Sequence, residues 1–217
     1  MRIGVLGTGT VGKAIGGKLV ELGHEVCMGS RTPGGEAATG WVAQAGAGAN
    51  EGTFSDAAGF GELVFNCTPG MHAAEALEAA GAENLAGKTV VDVSNALDFS
   101  GGRPPTLAVC NTTSVGEELQ KAFPQARIVK SLNTMNAGIM VDPSAVPGDH
   151  VVFVCGDDEG AKDEVRALLG EIGWPTERIV DVGGIIGARG TEMWLPLWLE
   201  LMGSLGTAQF NIAVVKA

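Results

Sequence analysis

The chain is short of positive charge. Fourteen Lys and Arg stand against 25 Asp and Glu, a formal net charge of −11, and no basic run of any length occurs. Binding phosphate backbones takes clustered Lys and Arg, so this balance argues against a nucleic-acid partner. Long apolar runs are missing too. The most apolar stretch, residues 193–205, is too short for a bilayer and contains Glu200, so no membrane association is expected. The four cysteines, Cys27, Cys67, Cys110 and Cys155, are far apart with no C-x-x-C, and His24, His72 and His150 are isolated. That scatter argues against a disulfide framework, a zinc site or any other metal centre. Cys27, Cys67 and Cys155 lie in apolar, strand-like runs and read as small buried hydrophobes. A core strand begins at Ile3, which leaves no room for a signal peptide, so the chain reads as cytoplasmic. At 217 residues it makes one substantial domain, or one domain with a small appendage.

Glycine is abundant, with 34 residues, so a glycine motif carries weight only in context. The first thirty-two residues supply that context. Residues 3–6 form a short apolar run, and Gly7, Gly9 and Gly12 follow in G-x-G-x-x-G spacing with Thr8, Thr10 and Val11 between them. Val11, Ile15, Leu19 and Leu22 then recur at helical intervals, and a second apolar run ends at Gly29. Strand, glycine turn, helix and strand in one unit is the pattern of a dinucleotide site. The first glycine permits the tight turn, the second lets the backbone approach a pyrophosphate, and the third lets helix and strand pack closely. The helix N-terminus offers free N–H groups and partial positive charge to the phosphates.

The end of the second strand selects the nucleotide. An NAD site usually carries Asp or Glu here to hold the ribose 2′-hydroxyl. This chain has Ser30-Arg31-Thr32. A guanidinium and two hydroxyls suit a 2′-phosphate, so NADP(H) is favoured.

Strand and helix patterns alternate along most of the chain. Helical patterns cover 35–47, 54–59, 71–80, 114–123 and the residues after Asp158, and strand patterns cover 48–50, 63–68, 89–93, 128–132, 151–155 and 179–182. Ser114 and Glu117 have capping-box spacing. The polar stretch 94–111 is long enough to expect a function of it. From 184 to 215 the pattern is helical, with Pro196 expected to kink it. The alternation predicts an α/β fold: a doubly wound (Rossmann), mostly parallel sheet over 1–183, with a short helical appendage over 184–217 for dimerisation, for an acceptor pocket, or for both.

In such sheets ligands bind at the carboxyl ends of the strands. That rule adds Cys67, Thr68 and Pro69, Ser94 and Asn95, and His72 one turn along the following helix as cofactor contacts. It makes Asn133, Thr134, Met135 and Asn136, with His72, the candidates for an acceptor pocket.

Several of these stretches resemble one family. The N-terminal unit with Gly29-Ser30-Arg31, Thr68-Pro69 with His72, Lys130-Ser131-Leu132-Asn133-Thr134, Val154-Cys155-Gly156-Asp157-Asp158 and the apolar C-terminal helix are similar to the NADPH-dependent deazaflavin (coenzyme F420) reductases. The cytosolic oxidoreductase domain of the membrane metalloreductases is more distantly similar. The resemblance implies direct hydride transfer between NADPH and a small-molecule electron acceptor, a deazaflavin or a flavin such as FMN or FAD. Two positions depart from the family pattern: Leu6 leads straight into Gly7-Thr8-Gly9, and Asn133 stands in place of a histidine.

Hydride transfer between stacked rings is chemistry that the cofactors carry, so no acid–base pair is required, and none is evident. Reduction of a small carbonyl, which needs a proton donor, and a non-catalytic NADP(H)-binding sensor remain alternatives. Met193, Trp194, Leu195, Leu197, Trp198, Leu199, Leu201, Met202 and Leu205 cover more than one face of a helix, which predicts a homodimer.

Overall fold

A computed structural model describes residues 1–216. The chain opens with β1 (Arg2–Leu6), α1 (Thr10–Glu21), β2 (Glu25–Ser30), α2 (Glu36–Ala45), β3 (Ala49–Thr53), α3 (Phe54–Phe60) and β4 (Leu63–Asn66). A 3₁₀ turn (Gly70–His72) leads into α4 (Ala73–Ala80), α5 (Ala82–Leu85) and β5 (Thr89–Asp92). The long polar stretch folds a two-stranded hairpin, β6 (Leu97–Asp98) and β7 (Thr106–Leu107), ahead of α6 (Val115–Ala122) and β8 (Arg127–Ser131). Then come α7 (Ala137–Val141), β9 (Val152–Gly156), α8 (Glu159–Ile172), β10 (Ile179–Asp181), α9 (Ala188–Met193) and α10 (Leu195–Leu205).

Eight strands form one sheet in the order β10-β9-β8-β5-β4-β1-β2-β3. Every neighbouring pair is parallel except β8 with β9. The carboxyl ends of β1, β2, β4, β5 and β8 therefore share one edge. Strand residues alternate between two cores. Val5, Met28, Phe65, Val91, Val129 and Val154 face one side. Leu6, Cys27, Val64, Val90, Ile128 and Cys155 face the other. With both faces covered, a polar residue inside a strand has no solvent to turn to, and any that occurs must find a partner.

The C-terminal segment is helical with an interruption near Pro196, and its helix stops at Gly206 instead of running to 215. A 3₁₀ turn at Ile185–Gly187 and α9 precede a break at Trp194, and Pro196 stands in the first turn of α10. Trp194 alone separates the two helices and keeps helical values (φ −63°, ψ −30°), so the interruption falls where Pro196 withholds its N–H from the turn before it. The helix ends at Gly206, whose φ is +66°. Residues 206–216 are irregular, and Ala213 bridges back to His150. The Ser114 cap is also altered. Ser114 accepts the Glu117 N–H, but Glu117 takes the Ser114 hydroxyl instead of its backbone N–H.

Candidate functional site

The three glycines after β1 have three different surroundings. Gly7 has φ +117°, and its N–H donates to Gly29 O at 2.9 Å. A Cβ there would lie 2.9 Å from Cys67 O, so the turn also seats the end of β4. A Cβ on Gly12 would fall 2.0 Å from Gly7 O, where helix packs on loop. At Gly9 a Cβ would meet nothing within 4 Å. Gly9 is the N-cap of α1, offers no side chain to its N–H groups, and is followed by no acidic residue in the first turn. Thr8, Thr10 and Val11 border that open surface. Unclaimed first-turn N–H groups beside a clear face are the features that suit an anion.

At the end of β2 the Ser30 hydroxyl donates to Thr32 O at 2.7 Å, and Arg31 and Thr32 are exposed. Glu51 on β3 holds the next turn by accepting the Gly34 N–H at 3.1 Å. The arginines engaged in ion pairs are Arg2, Arg127, Arg166, Arg178 and Arg189; of the other two among the described residues, Arg103 lies over the Phe99 ring and Arg31 has no ion pair.

The carboxyl ends of β4, β5 and β8 are tied by a buried polar network. The Thr68 hydroxyl donates to Asn66 Oδ1 at 2.7 Å, and Asn66 Nδ2 donates to Asp92 Oδ1 at 2.8 Å. The same Asp92 oxygen accepts the Ser94 N–H at 3.1 Å. Lys130 Nζ lies 2.8 Å from Asp92 Oδ2 and 2.7 Å from Glu192 Oε1. Glu192, on α9, also accepts the N–H groups of Val115 and Gly116, first-turn donors of α6 that a serine cap does not reach. Burial alone would lower the Lys130 ammonium, but Asp92 and Glu192 outweigh it and hold that group above its ordinary value. Neither Lys130 nor Glu192 figured as a candidate from the sequence. The available signal was a lysine in the middle of an apolar strand, with no indication of its partner.

The loops above this network are clasped together. Asn95 Nδ2 donates to Asn133 O at 2.9 Å, and Asn133 Nδ2 returns a bond to Asn95 Oδ1 at 3.0 Å. Gly70 N–H donates to Asn95 O at 3.1 Å, bringing the loop after Pro69 alongside. Two buried hydroxyls here, Ser94 Oγ and Thr134 Oγ1, have no hydrogen-bond partner in the protein. Leu132, just before the clasp, is held at φ +63°, a conformation that side chains rarely adopt and that tends to mark functional loops.

The remaining candidates separate. Met135 is buried. Asn136 caps α7 through Gly138 N–H and Ile139 N–H and donates to Ala208 O, so its amide is committed to structure. His72 is exposed and lies 3.1 Å from Glu75. From the C-terminal segment, Trp194 Nε1 donates to Thr134 O at 3.0 Å, and Trp198 stacks on Phe210 at 5.5 Å. Burial pushes the Cys27 thiol up to about 11 and the Cys155 thiol up to about 12, which leaves both inert at neutral pH. Among the described residues no cluster of His, Cys, Asp and Glu could hold a metal ion, and no helix is long and apolar enough to cross a membrane. An open cleft of about 420 Å³, lined by Gln120, Pro124, Gln125, Arg127 and Asp158, lies at the opposite edge of the sheet, beyond the amino end of β8.

The strand order and the glycine loop define a dinucleotide-binding domain of the doubly wound type. A model of the family "NADP oxidoreductase coenzyme F420-dependent" matches residues 2–96. A protein of Arthrobacter sp. FB24, described as a candidate F420-dependent NADP-reductase, is 49% identical over 100% of both chains, and its crystal structure superposes with a TM-score of 0.94. The metalloreductase STEAP3 of Rattus norvegicus is 28% identical over 204 residues, which cover 91% of this chain but 38% of that protein. The chain therefore spans well under half the length of this curated relative. A reductive aminase of Aspergillus terreus, solved with NADPH4, cyclohexanone and allyl amine, shares the fold at a TM-score of 0.68 and 18% identity, over 94% of this chain and 62% of its own. This chain belongs to the coenzyme F420-dependent NADP oxidoreductase family.

Proposed function

We propose that the protein transfers hydride between NADPH and a deazaflavin or flavin-like acceptor. The observation that carries the reading is the contrast within the glycine loop. The fold itself fills the space beside Gly7 and Gly12, whereas the space over Gly9 is open and lined by unclaimed N–H groups. The orphaned hydroxyls of Ser94 and Thr134 extend the same demand to the other end of the site. A dinucleotide has a pyrophosphate for the first place and polar ring substituents for the second, so the residues present fit it. When bound, it supplies the hydride chemistry. The chain's own residues bind the phosphates, orient the ring through the β4 and β5 loops, and exclude water. A panel of deazaflavin, FMN, FAD, quinone and aldehyde acceptors with NADPH, followed at the nicotinamide absorbance, tests this reading. Turnover with the aldehyde alone would replace it with carbonyl reduction, and no turnover at all would leave a binding protein.

Arg31 should select NADPH over NADH. A charge-assisted contact contributes about 1.5–3 kcal/mol. Arg31→Ala is expected to weaken NADPH by about tenfold or more and leave NADH nearly unchanged, read by calorimetric titration of both. Equal losses would assign Arg31 no part in recognising the phosphate.

The C-terminal helix supports a homodimer. Leu197 is 52% exposed and Leu205 56%, with Met193 at 40%. Exposed apolar side chains at the end of α9 and along α10 suit burial against a second copy. Sedimentation should give a mass that rises with concentration, and Leu197→Glu should hold it at one chain. A monomer at every concentration would end the dimer reading.

A further inference from the structure

We propose that the buried Asp92–Lys130–Glu192 network acts as a fixed negative charge that favours the oxidised, cationic nicotinamide over the reduced, neutral one, and so biases the protein toward donating hydride from NADPH. This rests on the NADP(H) reading above.

Two carboxylates share one ammonium, and the side chains of all three residues are no more than 1% exposed. The other groups that touch the carboxylates are neutral: the Asn66 amide and the N–H groups of Ser94, Val115 and Gly116. The N-terminal dipole of α6 offsets part of the excess charge but not all of it. Solvent ions screen little at this depth. The position matters as much as the sign. Asp92 ends β5 and holds the Ser94 backbone, and through Asn66 it also holds Thr68. These are the strand ends where a ring would lie in this sheet, beside the unpartnered hydroxyls of Ser94 and Thr134.

The charge balance gives the direction. When the C4–H bond of the reduced ring breaks, the hydrogen leaves with both bonding electrons and the ring becomes a cation. The acceptor gains that hydrogen and is reduced by two electrons. Negative charge at the strand ends that would hold the ring stabilises the cation and leaves the neutral form untouched, so the equilibrium on the protein moves toward transfer.

Glu192→Gln is the direct test, because it leaves one ammonium and one carboxylate, a balanced pair. NADP⁺ and NADPH are each titrated by calorimetry against the native protein and the variant. The ratio of Kd for NADP⁺ to Kd for NADPH is expected to rise by about three- to tenfold, the effect of one partly screened charge at short range. A role in structure alone would weaken both ligands in parallel and leave the ratio fixed, which overturns the proposal. Should the variant fail to fold, the native protein still decides the matter with 2′-phospho-ADP-ribose, which lacks the ring. The oxidised ring should add more affinity over that fragment than the reduced ring does, and an equal or smaller increment overturns the proposal. If the native protein binds neither NADP⁺ nor NADPH, the NADP(H) reading itself falls, an outcome distinct from an unmoved ratio.

Discussion

Gly9→Val should leave a folded protein that no longer binds NADPH. The two halves of this expectation come from different features of one residue. The backbone at Gly9 has φ −76° and ψ −175°, extended values open to any residue, and a Cβ there meets no protein atom within 4 Å. The fold therefore tolerates the side chain, with a cost of about 1 kcal/mol for a poor N-cap. The space it fills is the face over the first turn of α1, where a pyrophosphate would accept N–H bonds. Affinity should fall by about a hundredfold or more, the loss of close contact with two charged groups. Gly12→Val is the counterpart. Its Cβ would stand 2.0 Å from Gly7 O, so it should fail through folding instead, with a collapsed melting transition. Circular-dichroism melts and NADPH titrations separate the two. Unchanged affinity in Gly9→Val would show that the loop is not the binding site, and a Gly12→Val protein as stable as the native one would contradict the packing.

What could be read in advance follows from how local each signal is. The β1–α1–β2 unit was legible because its strands, glycines and helical spacing lie within thirty residues and demand one another. The strands of the main sheet were legible for the same reason, as short apolar runs, whereas the β6–β7 hairpin inside the polar stretch was not. The direction of β9 was not. An apolar run reads the same either way, and only its pairing with β8 makes it antiparallel. The site divided along similar lines. Strand-end position picked out Ser94, Asn95, Asn133 and Thr134, but not the reciprocal amide bonds between Asn95 and Asn133, nor that Asn136 is spent on a cap. Position said nothing of Glu192, which sits in what looked like an appendage and reaches Lys130 across 62 residues of chain. Its burial ties α9 to the sheet and to the start of α6. A boundary at residue 183 is a boundary of sequence pattern, and this contact crosses it.

Lys130→Met should be the most destabilising single substitution in the network. Methionine fills about the same volume, so the loss is electrostatic and not a cavity. It strands Asp92 and Glu192, both buried, without the cation that each contacts at 2.7–2.8 Å. Breaking a buried ion pair by removing one partner costs about 3–5 kcal/mol, because the remaining charge keeps its desolvation penalty. In a chain of this size each kcal/mol lowers Tm by about 2–4 °C, so a drop of about 6–20 °C is expected in a calorimetric scan. Adding Glu192→Gln should restore part of the loss by removing one of the two stranded charges. That non-additivity is what a double-mutant cycle reads. In the native network the two carboxylates hold the Lys130 ammonium protonated. Its contribution is full at neutral pH and fades only as pH rises through the elevated lysine value. A Lys130→Met protein within about 1 kcal/mol of the native one would mean that the two carboxylates do not depend on this cation for their burial.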